Sequence, residues 1–529
     1  IIDLNTLSKW YYPTLYYISD SERKTLERVP DQSINWEEGT LEASLEHFSD
    51  YTVATTTDEG WKLTYNAPQV SAFTGAATYN YPIAVPLGRN GLQPKVNLSY
   101  NSRRIEGVFG WIQNWAGVGW SVDTMDIVRK GVSFCGDDGA NLPSDKSVLT
   151  VNGTGYKLHP EDGINEGEPG RYYAQDAPQL YVRMIQDANL NNSAKYYWLV
   201  RTPDGVTYQL GTTDDSEQRL SYVVEGHIPV YRWRVKEAED RFGNRMQFSY
   251  HEQEACGRDN ISLIDTISYN NSGTGWDSSV QFVRSTKYPP ENVRWDFCSM
   301  IMFGDPGALD SIIVKHLGQI VRKYELDIDV DPEGGINEKE RRRLYAIQQV
   351  GNDGLTTFPA AEFSYQYLAN RNVSGEDFWY PRMDIIENGY GAETTIVYER
   401  IGADGWEDKY SYRVRREYTG DGIHSTTSRK EYVYGPAYDP GGLVKGYDHT
   451  FISTYDYSGV LLTESRHYYH NVHDTGGDTL RGRELKSEMV SNGAVMRRVE
   501  TQWETRSLPA NQSVTTFAVV TGVTTTDEM

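Results

Sequence analysis

Cysteine is scarce in this chain, and long apolar runs are missing. Three cysteines stand among 529 residues, at Cys135, Cys256 and Cys298, and none has the Cys-x-x-Cys spacing of a zinc ribbon. We therefore expect at most one disulfide bridge and no disulfide-stapled miniprotein. No run of about 18 apolar residues occurs, so the sequence predicts no membrane span.

The chain also lacks a recognisable leader. Its first residues, IIDLNTLSKW, have neither the charged nor the apolar region of a signal peptide, and the first residue is not Met. The last residues, VTTTDEM, show no pattern typical of a natural C-terminus. We therefore interpret the sequence as a mature or excised part of a longer polypeptide. The localisation therefore cannot be derived from the N-terminus itself.

Basic charge is in deficit. The 51 Lys and Arg residues face 74 Asp and Glu residues, which gives a formal net charge of −23. An overall negative charge repels the phosphate backbone of DNA or RNA. Nucleic acid is therefore not an expected partner.

Catalytic signatures are missing as well. The Gly-x-Ser-x-Gly elbow, the P-loop and the dinucleotide-binding fingerprint do not occur. A carboxylate pair for glycoside hydrolysis cannot be chosen from 74 acidic residues without geometry, so a carbohydrate-active enzyme stays open as a third hypothesis. The sequence predicts that the chain is not an enzyme and that it uses no cofactor.

Two histidine patterns resemble metal sites without completing one. HEQEA at 251–255 begins as a zinc-protease helix does, but Ala255 stands where a second His is needed. HYYHNVHD at 467–474 would gather three imidazoles and a carboxylate around zinc on a helix. The pattern favours a strand that runs into a loop, which scatters these side chains, so no metal site is expected: His467, His470, His473 and Asp474.

An acidic stretch, DIDVDPEGGINE, occupies 327–338. Its carboxylates stand at loop positions one, three, five and twelve, as in an EF-hand, but Pro332 takes the place of the required Gly and strands flank the stretch. A calcium-binding loop and an acidic hairpin tip both stay open, and we prefer the hairpin tip. The carboxylates concerned are Asp327, Asp329, Asp331 and Glu338.

Aromatic residues are abundant, with 39 Tyr, 14 Phe and 13 Trp, and such side chains suit pleated sheets. Apolar and polar residues alternate with a period of two from about residue 95 onward. VYRWRVKEAEDRFGNRMQFSY (230–250) and YYWLVRTPDGVTYQLG (196–211) each predict a hairpin. RKYELDIDV (322–330) and KYSYRVRREY (409–418) predict further strands, and no segment has the stripe of a long amphipathic helix.

The fold class that follows is all-β. Hairpins that fill several hundred residues require a long antiparallel sheet, and such a sheet has to curl, close or split. We divide the chain into a small β-sandwich-like module at 1–65, a β domain at 66–260 and a repetitive β segment at 261–529 that continues beyond the chain end.

A block in the first third carries a family resemblance. FTGAATYNYPIAVPLGRNGLQPKVNLSYNS (73–102), followed by WAGVGWSVDTMDIVRKG (115–131), resembles the N-terminal region of SpvB-like proteins and of the B component of insecticidal toxin complexes. Physically, the block predicts two aromatic strands separated by a glycine turn, which makes it scaffold. The matching positions are Gly75, Tyr79, Tyr81, Pro82, Pro86, Gly88, Gly91, Leu92, Pro94, Leu98, Tyr100, Gly117, Gly119, Trp120 and Ser121.

The downstream sequence is similar to RHS or YD repeats. DRFGNRMQFSY (240–250), RRRLYAIQQVGNDG (341–354) and RKEYVYGPAYDP (429–440) follow that pattern. GYDHTFISTYDYSGVLLTESRHYYHN (446–471) resembles the later part of the toxin-complex B component. Together the resemblance covers about residues 70–515.

The resemblance implies a secreted, extracellular or cell-surface protein without catalysis. Its long sheet would form the wall of a hollow β-shell that encloses or presents a C-terminal, toxin-like passenger. The implied partners are the downstream RHS core and passenger of the same polypeptide and other shell subunits. Residues expected to support the wall by packing are Tyr81, Tyr100, Trp120, Tyr250 and Tyr398.

An alternative of a different class stays open. Repeats can also display loops to a cell or matrix, so the chain could be an adhesion or glycan-binding surface protein. Trp111, Trp115 and Trp120 could stack on sugars, although tryptophans of this kind more often pack in sheet cores.

Overall fold

The chain divides into two compact units, Ile1–Tyr65 and Asn66–Met529. The computed structural model describes residues 2–3, 12–20, 25–28, 32–35, 40–43, 51–56, 67–105, 115–129, 147–165, 167–190, 195–219, 230–254, 259–272, 275–288, 291–295, 302–305, 307–330, 342–371, 377–401, 411–422, 426–438, 446–470, 479–507 and 516–527. Cys135, Cys256 and Cys298 lie outside these residues.

The first unit contains two three-stranded antiparallel sheets. One has the strand order β1-β5-β4 and the other β3-β2-β6. The longest strand, β2, pairs with β6 from Tyr12 opposite Thr56 to Tyr17 opposite Tyr51. The strands are β1 (Ile2–Asp3), β2 (Tyr12–Asp20), β3 (Thr25–Arg28), β4 (Gln32–Asn35), β5 (Thr40–Ala43) and β6 (Tyr51–Thr56).

The second unit begins with a four-stranded antiparallel sheet of order β10-β9-β8-β7. This sheet contains the two aromatic strands that the sequence predicts. The turn between them uses Gly91 at a φ of +80°, whereas Gly88 has an extended φ of −84°. Gly88 is required for another reason, because a Cβ there would lie 1.8 Å from the Leu92 carbonyl oxygen. The strands are β7 (Gln69–Val70), β8 (Ala77–Ile83), β9 (Val96–Asn101) and β10 (Trp120–Val122).

The next strands close on themselves. β11 pairs with β12 on one side and with β19 on the other, where Ile127 lies opposite Trp233. β17 also pairs with β19, so eight strands form a closed ring, with β18 attached to β19. The strands are β11 (Asp126–Arg129), β12 (Ser147–Val151), β13 (Thr154–Pro160), β14 (Gly170–Ala174), β15 (Tyr181–Gln186), β16 (Tyr196–Arg201), β17 (Thr207–Leu210), β18 (Glu217–Arg219) and β19 (Val230–Glu239).

From β19 the same sheet continues to the last strand, so that 25 strands belong to one antiparallel sheet. Among the described residues, β23 pairs with β24 alone and β33 with β34 alone, as two side hairpins. The strands are β20 (Arg245–Glu254), β21 (Asp259–Ser272), β22 (Gly275–Arg284), β23 (Glu291–Trp295), β24 (Met302–Asp305), β25 (Leu309–His316), β26 (Gln319–Val330), β27 (Arg342–Val350), β28 (Ala361–Arg371), β29 (Asp377–Glu387), β30 (Glu393–Ile401), β31 (Ser411–Gly420), β32 (Ser428–Tyr434), β33 (Ala437–Tyr438), β34 (Gly446–Tyr447), β35 (His449–Tyr455), β36 (Leu461–Tyr469), β37 (Glu484–Ser491), β38 (Ala494–Ser507) and β39 (Thr516–Asp527).

The predicted all-β class with a long antiparallel sheet is confirmed. The described residues contain no α-helix, and short 3-10 turns interrupt the strands. Residue 260, the predicted domain boundary, lies within β21, where the sheet continues without a break.

One turn design recurs in the hairpins. The side chain of Asp240 accepts hydrogen bonds from the backbone N–H groups of Phe242 and Asn244, at 2.8 and 2.9 Å. The side chains of Asn388 and Asp456 likewise accept hydrogen bonds from the backbone N–H groups two and four residues after them. A glycine at positive φ stands third after each of these residues, because the turn requires a left-handed position there: Gly243, Gly391 and Gly459.

Four hairpins share a tyrosine contact, which we call the tyrosine clasp. Each tyrosine lies on the second strand of its hairpin, three residues beyond the last backbone-paired residue of that strand. Its hydroxyl donates a hydrogen bond to a backbone carbonyl of the first strand, two residues before the last paired residue there. The clasp therefore joins strands where their ladder has stopped. The bonds are Tyr250 to Val235 O (2.6 Å), Tyr365 to Leu344 O (2.6 Å), Tyr398 to Met383 O (2.9 Å) and Tyr434 to Val414 O (2.7 Å).

Candidate functional site

The segment 72–89, which we call the spine, contacts strands β21, β26, β28, β31 and β35 of the long sheet and strand β34 of a side hairpin. Near its start, the Phe73 carbonyl accepts a hydrogen bond from Tyr447 N at 3.0 Å, and the Gly75 carbonyl accepts one from Val414 N at 2.9 Å. The Ala72 carbonyl accepts from the Thr450 hydroxyl at 2.6 Å. These contacts fix the first part of the spine to β31, β34 and β35.

The middle of the spine, strand β8, meets β26 and β28 through aromatic rings. Tyr79 lies edge-on to Phe363 at a centroid distance of 5.6 Å. Tyr81 lies edge-on to Tyr324 at 6.1 Å, and the Tyr324 hydroxyl accepts a hydrogen bond from Ala84 N at 3.1 Å. Edge-on pairs of this kind add about 0.5–1.5 kcal/mol to the free energy of burial.

The end of the spine is held by β21. The Pro86 carbonyl accepts a hydrogen bond from the Tyr269 hydroxyl at 3.0 Å. The side chain of Asn270 holds the next residues through two hydrogen bonds. Its amide nitrogen donates to Leu87 O at 3.1 Å, and its amide oxygen accepts from Arg89 N at 2.8 Å.

The contacts follow one line across the sheet. Between residues 72 and 86 the spine passes from β35 to β21, which are ten strand-to-strand steps apart. Ten steps of about 4.8 Å amount to about 48 Å when measured along the sheet. The spine therefore crosses the strands at a large angle to their direction, with a turn at residues 72–74 followed by the extended strand β8.

A second group of contacts comes from β9, β10 and the residues between them. Leu309 N donates to Trp115 O at 2.8 Å, and Val118 N donates to Arg342 O at 2.9 Å. Met383 N donates to the Tyr100 hydroxyl at 2.9 Å. The block at 73–122 thus contacts the same sheet along two lines.

Trp120 lies where these two lines meet. Its ring packs at 4.9 Å from Phe363, 5.5 Å from Tyr100 and 6.0 Å from Tyr79. Its indole N–H donates to the Tyr365 hydroxyl at 2.9 Å, and Tyr365 in turn forms its clasp with Leu344. The side chain is fully buried, which confirms the packing role expected for Trp120.

Burial keeps the hydroxyls of this region neutral. It raises the pKa of Tyr100 and of Tyr269 to about 12 from an ordinary value of 10. The pKa of Tyr81 is raised still further, again by burial. Neutral hydroxyls can both donate and accept hydrogen bonds, as Tyr365 does, so the contacts of the spine stay intact over the physiological pH range.

Glycines allow the closest approaches between the block and the sheet. The Phe73 ring lies against two of these glycines. A Cβ added to Gly446 would lie 2.1 Å from this ring, and one added to Gly482 would lie 2.7 Å from it. Gly75 itself has a φ of +69°, and a Cβ there would lie 2.6 Å from the Cβ of Arg413.

The structure does not gather the histidines of 467–474. His467 lies on β36, with Nδ1 at 2.6 Å from a carboxylate oxygen of Glu484. His470 follows that strand, where its backbone N–H donates to Arg483 O and its carbonyl accepts from Gly482 N. His473 and Asp474 lie outside the described residues. Within the described part of the chain, no group of three or more His, Cys, Asp or Glu residues is placed to hold a metal ion.

The acidic stretch at 327–338 begins as strand, and residues 331–341 lie outside the described ranges. Asp327 is exposed on β26. Asp329 accepts hydrogen bonds from the Lys287 ammonium and the Tyr288 hydroxyl, which lower the pKa of its carboxyl group. Asp329 therefore ties β26 to the loop after β22.

The remaining candidates belong to the sheet. His251 lies on β20, where burial lowers the pKa of its imidazole. Ala255 and Trp111 fall outside the described residues. Trp115 and Trp120 are buried in the apolar core and therefore cannot stack on sugars.

Residues 71–305 match the family model described as Salmonella virulence plasmid 65kDa B protein. Among solved structures, the chain is similar to that titled TcdB2-TccC3, with a TM-score of 0.64, 10% identity, and 89% of this chain and 44% of that chain covered. It is similar to TcdB2-TccC3-TEV, with a TM-score of 0.62, 11% identity, and 88% and 42% covered.

The resemblance to SpvB-like proteins and to the toxin-complex fold is confirmed. The SpvB-type segment contains the spine, the closed ring and the sheet as far as β24. The N-terminal domain of effector protein SpvB from Salmonella typhimurium strain LT2 also matches, with a TM-score of 0.37, 16% identity, and 51% of this chain and 98% of that chain covered.

The chain spans 42–44% of the length of the TcdB2-TccC3 chains that it resembles. No curated protein matches its sequence. In the described residues, no helix is long and apolar enough to cross a membrane.

Sequence reasoning identified the segments 73–102 and 115–131 as scaffold but missed what they support. Tyr324, Tyr269 and Asn270, which hold the spine, lie on strands about 180–240 residues away. A local pattern contains no signal for such partners. One hint was available, the long run of uncharged residues before Arg89.

Proposed function

We propose that this chain is the non-catalytic front wall of a secreted or cell-surface RHS-type β-shell, which encloses or presents a C-terminal, toxin-like passenger. The observation that supports the proposal is the spine, because one short segment contacts β21, β26, β28, β31 and β35 of the same sheet. A sheet held in this way acts as a rigid wall, and rigidity is what an enclosure requires.

The fold supports the same role. The chain resembles about two fifths of TcdB2-TccC3, and the sheet ends in β39 with one edge unpaired among the described residues. Exposed edges tend to associate with further strands. In the proposal, the downstream RHS core and passenger of the same polypeptide, or another shell subunit, continue the sheet from β39.

The test is electron microscopy of the natural polypeptide, combined with its intact mass and limited proteolysis. We expect a hollow particle, mass in addition to that of these 529 residues, and a C-terminal passenger that resists protease until the wall is unfolded. A solid or fibrous particle, or a passenger cleaved as fast as the free domain, would contradict the proposal.

A further inference from the structure

A group of charged side chains lies where the closed ring joins the rest of the long sheet. Strand β19 belongs to both, and it contains three cations, Arg232, Arg234 and Lys236. Two carboxylates lie beside them. A terminal nitrogen of Arg232 is 2.6 Å from Asp126 Oδ2, and Lys236 Nζ is 2.8 Å from Asp215 Oδ2. Three positive charges are therefore set against two negative ones.

Arg234, the middle cation, has no carboxylate of its own. Asp126 lies opposite Arg234 in the ladder between β11 and β19, but its carboxylate accepts hydrogen bonds from Arg232 instead. The Arg234 side chain has no hydrogen bond or ion pair to the described residues, and its Nε is buried without a partner. The residue is only 8% exposed. A buried charge without a partner is strongly unfavourable.

The contacts that Arg234 does have leave its N–H groups unsatisfied. Its Cζ lies 5.4 Å from the centroid of the Tyr250 ring. An aromatic ring attracts a cation but supplies none of the oxygen acceptors that guanidinium N–H groups require. Burial, together with the charge of Arg232, lowers the pKa of Arg234 to about 10 from an ordinary value of 12.5. The guanidinium is therefore still charged at neutral pH.

The charges and the geometry at Arg234 select one class of ligand. Three cations and two carboxylates leave a single positive charge, which one monovalent anion neutralises, whereas sulfate would bring a second negative charge close to Asp126. A guanidinium presents parallel N–H groups that match the two oxygens of a carboxylate. The 8% exposure of Arg234 restricts access to a ligand of a few heavy atoms.

We propose that Arg234 binds a small free carboxylate, of the size of formate or acetate, at the junction of β11, β19 and β20. The bound ion supplies the third negative charge of the group and accepts the N–H groups that Arg234 leaves unpaired. Because the site exists only in the folded chain, its occupation stabilises the junction between the ring and the following sheet. The proposal does not depend on the shell function, because it requires only these charges.

The experiment is isothermal titration calorimetry and thermal unfolding of the 529-residue chain in a carboxylate-free buffer, with sodium acetate or sodium chloride added at equal ionic strength. We expect acetate to bind and to raise the melting temperature, and chloride to do neither. Arg234→Met should weaken acetate binding about 10- to 100-fold, because hydrogen bonds to a charged group are lost. Arg234→Lys should also weaken it, since an ammonium lacks the parallel N–H groups.

Stability without acetate separates a free ligand from a carboxylate side chain of the polypeptide. If Arg234 has no partner in the free chain, Arg234→Met should be at least as stable as the parent in carboxylate-free buffer. A clear loss of stability there, with no response of the parent to acetate, would overturn the proposal and show that the polypeptide itself supplies the carboxylate.

The matched control is Arg466→Met. Arg466 also lies on a strand beside an aromatic ring, with its Cζ 5.5 Å from the centroid of Phe451, but Glu464 pairs with its Nε at 2.6 Å. This variant should bind acetate as the parent does. Equal weakening in Arg466→Met and Arg234→Met, unchanged binding in Arg234→Met, or tighter binding of sulfate than of acetate would each contradict a carboxylate site at Arg234.

Discussion

At the scale of single residues, Trp120 is the most connected side chain of the block. Replacing it with Ala removes its contacts with Tyr79, Tyr100 and Phe363 and leaves a cavity. We expect Trp120→Ala to lower the free energy of unfolding by about 3–5 kcal/mol, measured by urea denaturation. Trp120→Phe, which mainly removes the donor to Tyr365, should cost less.

The control for this prediction is Trp276→Ala. Trp276 is partly exposed at the start of β22, so its removal should change stability by less than about 1 kcal/mol. If Trp120→Ala were no more destabilising than Trp276→Ala, the packing role of Trp120 would be wrong.

Gly75 gives a second prediction, with Gly354 as a matched position. Both have a φ of +69°, but a Cβ at Gly75 meets Arg413 at 2.6 Å, whereas one at Gly354 meets nothing within 4 Å. Gly354→Ala should cost about 1–2 kcal/mol for backbone strain alone, and Gly75→Ala about 1–3 kcal/mol more for the clash. Equal melting temperatures for the two variants would show that the spine can move away from β31.

Residue identity could be predicted from the sequence where the requirement is local. The sequence predicted a glycine turn between two aromatic strands, and of its two glycines Gly91 has a positive φ whereas Gly88 does not. Glycine is required at 446 and 482 because a Cβ there would clash with the Phe73 ring, which comes from a distant segment. Glycine is required at 88 because a Cβ there would clash with the Leu92 carbonyl of the same folded loop. These requirements exist only in the folded chain.

At the scale of elements, the tyrosine clasp connects two strands where their ladder has ended. We expect Tyr398→Phe to lower the free energy of unfolding by about 1–2 kcal/mol, because it leaves the buried Met383 carbonyl without its donor. Hydrogen exchange should accelerate in β29 and β30 more than in β20 and β21. Urea denaturation and mass-resolved exchange provide the two measurements.

Tyr390→Phe in the turn of the same hairpin is the control. Its ring is exposed and its hydroxyl bonds to none of the described residues, so stability and exchange should stay as in the parent. Uniform acceleration of exchange over the whole sheet in Tyr398→Phe would indicate global destabilisation and contradict a local clasp.

Hairpins were the elements that the sequence predicted best. The predicted turn at Asp240–Asn244 joins β19 and β20, and Met246, Phe248 and Tyr250 are buried as the alternation indicated. Alternation and turn residues act within about twenty residues, so one segment contains the full signal. The clasp could have been suspected from FSY at 248–250 and again at 363–365.

At the scale of the whole molecule, the long-range arrangement could not be predicted from the residues. The ring closes because β11 pairs with β19 across about a hundred residues, and the spine meets strands up to 378 residues away. Such pairings depend on which surfaces remain uncovered after the hairpins have formed. The residues alone predicted a long antiparallel sheet of hairpins, and the resemblance to a known family added the expectation of a hollow shell.

The buried tyrosines make one prediction for the molecule as a whole, its behaviour in alkali. Burial raises the pKa of Tyr100, Tyr208, Tyr231 and Tyr269 to about 12, whereas in the unfolded chain it is near 10. Below pH 10 both states hold these protons, and stability does not depend on them. Between pH 10 and 12 only the folded state keeps them, so the free energy of unfolding falls as pH rises.

We therefore expect a cooperative loss of folded protein between pH 10 and 12, seen in far-ultraviolet circular dichroism and coincident with tyrosinate absorbance near 295 nm. The double variant Tyr100→Phe, Tyr269→Phe should show a shallower dependence of stability on pH in this window, because two of the retained protons are gone. Its stability at pH 8 should be lower, since the bonds to Met383 and Pro86 are lost. Tyrosinate absorbance that rises gradually while the circular dichroism stays native would mean that solvent reaches these rings in the folded sheet, and that the spine does not exclude water from them.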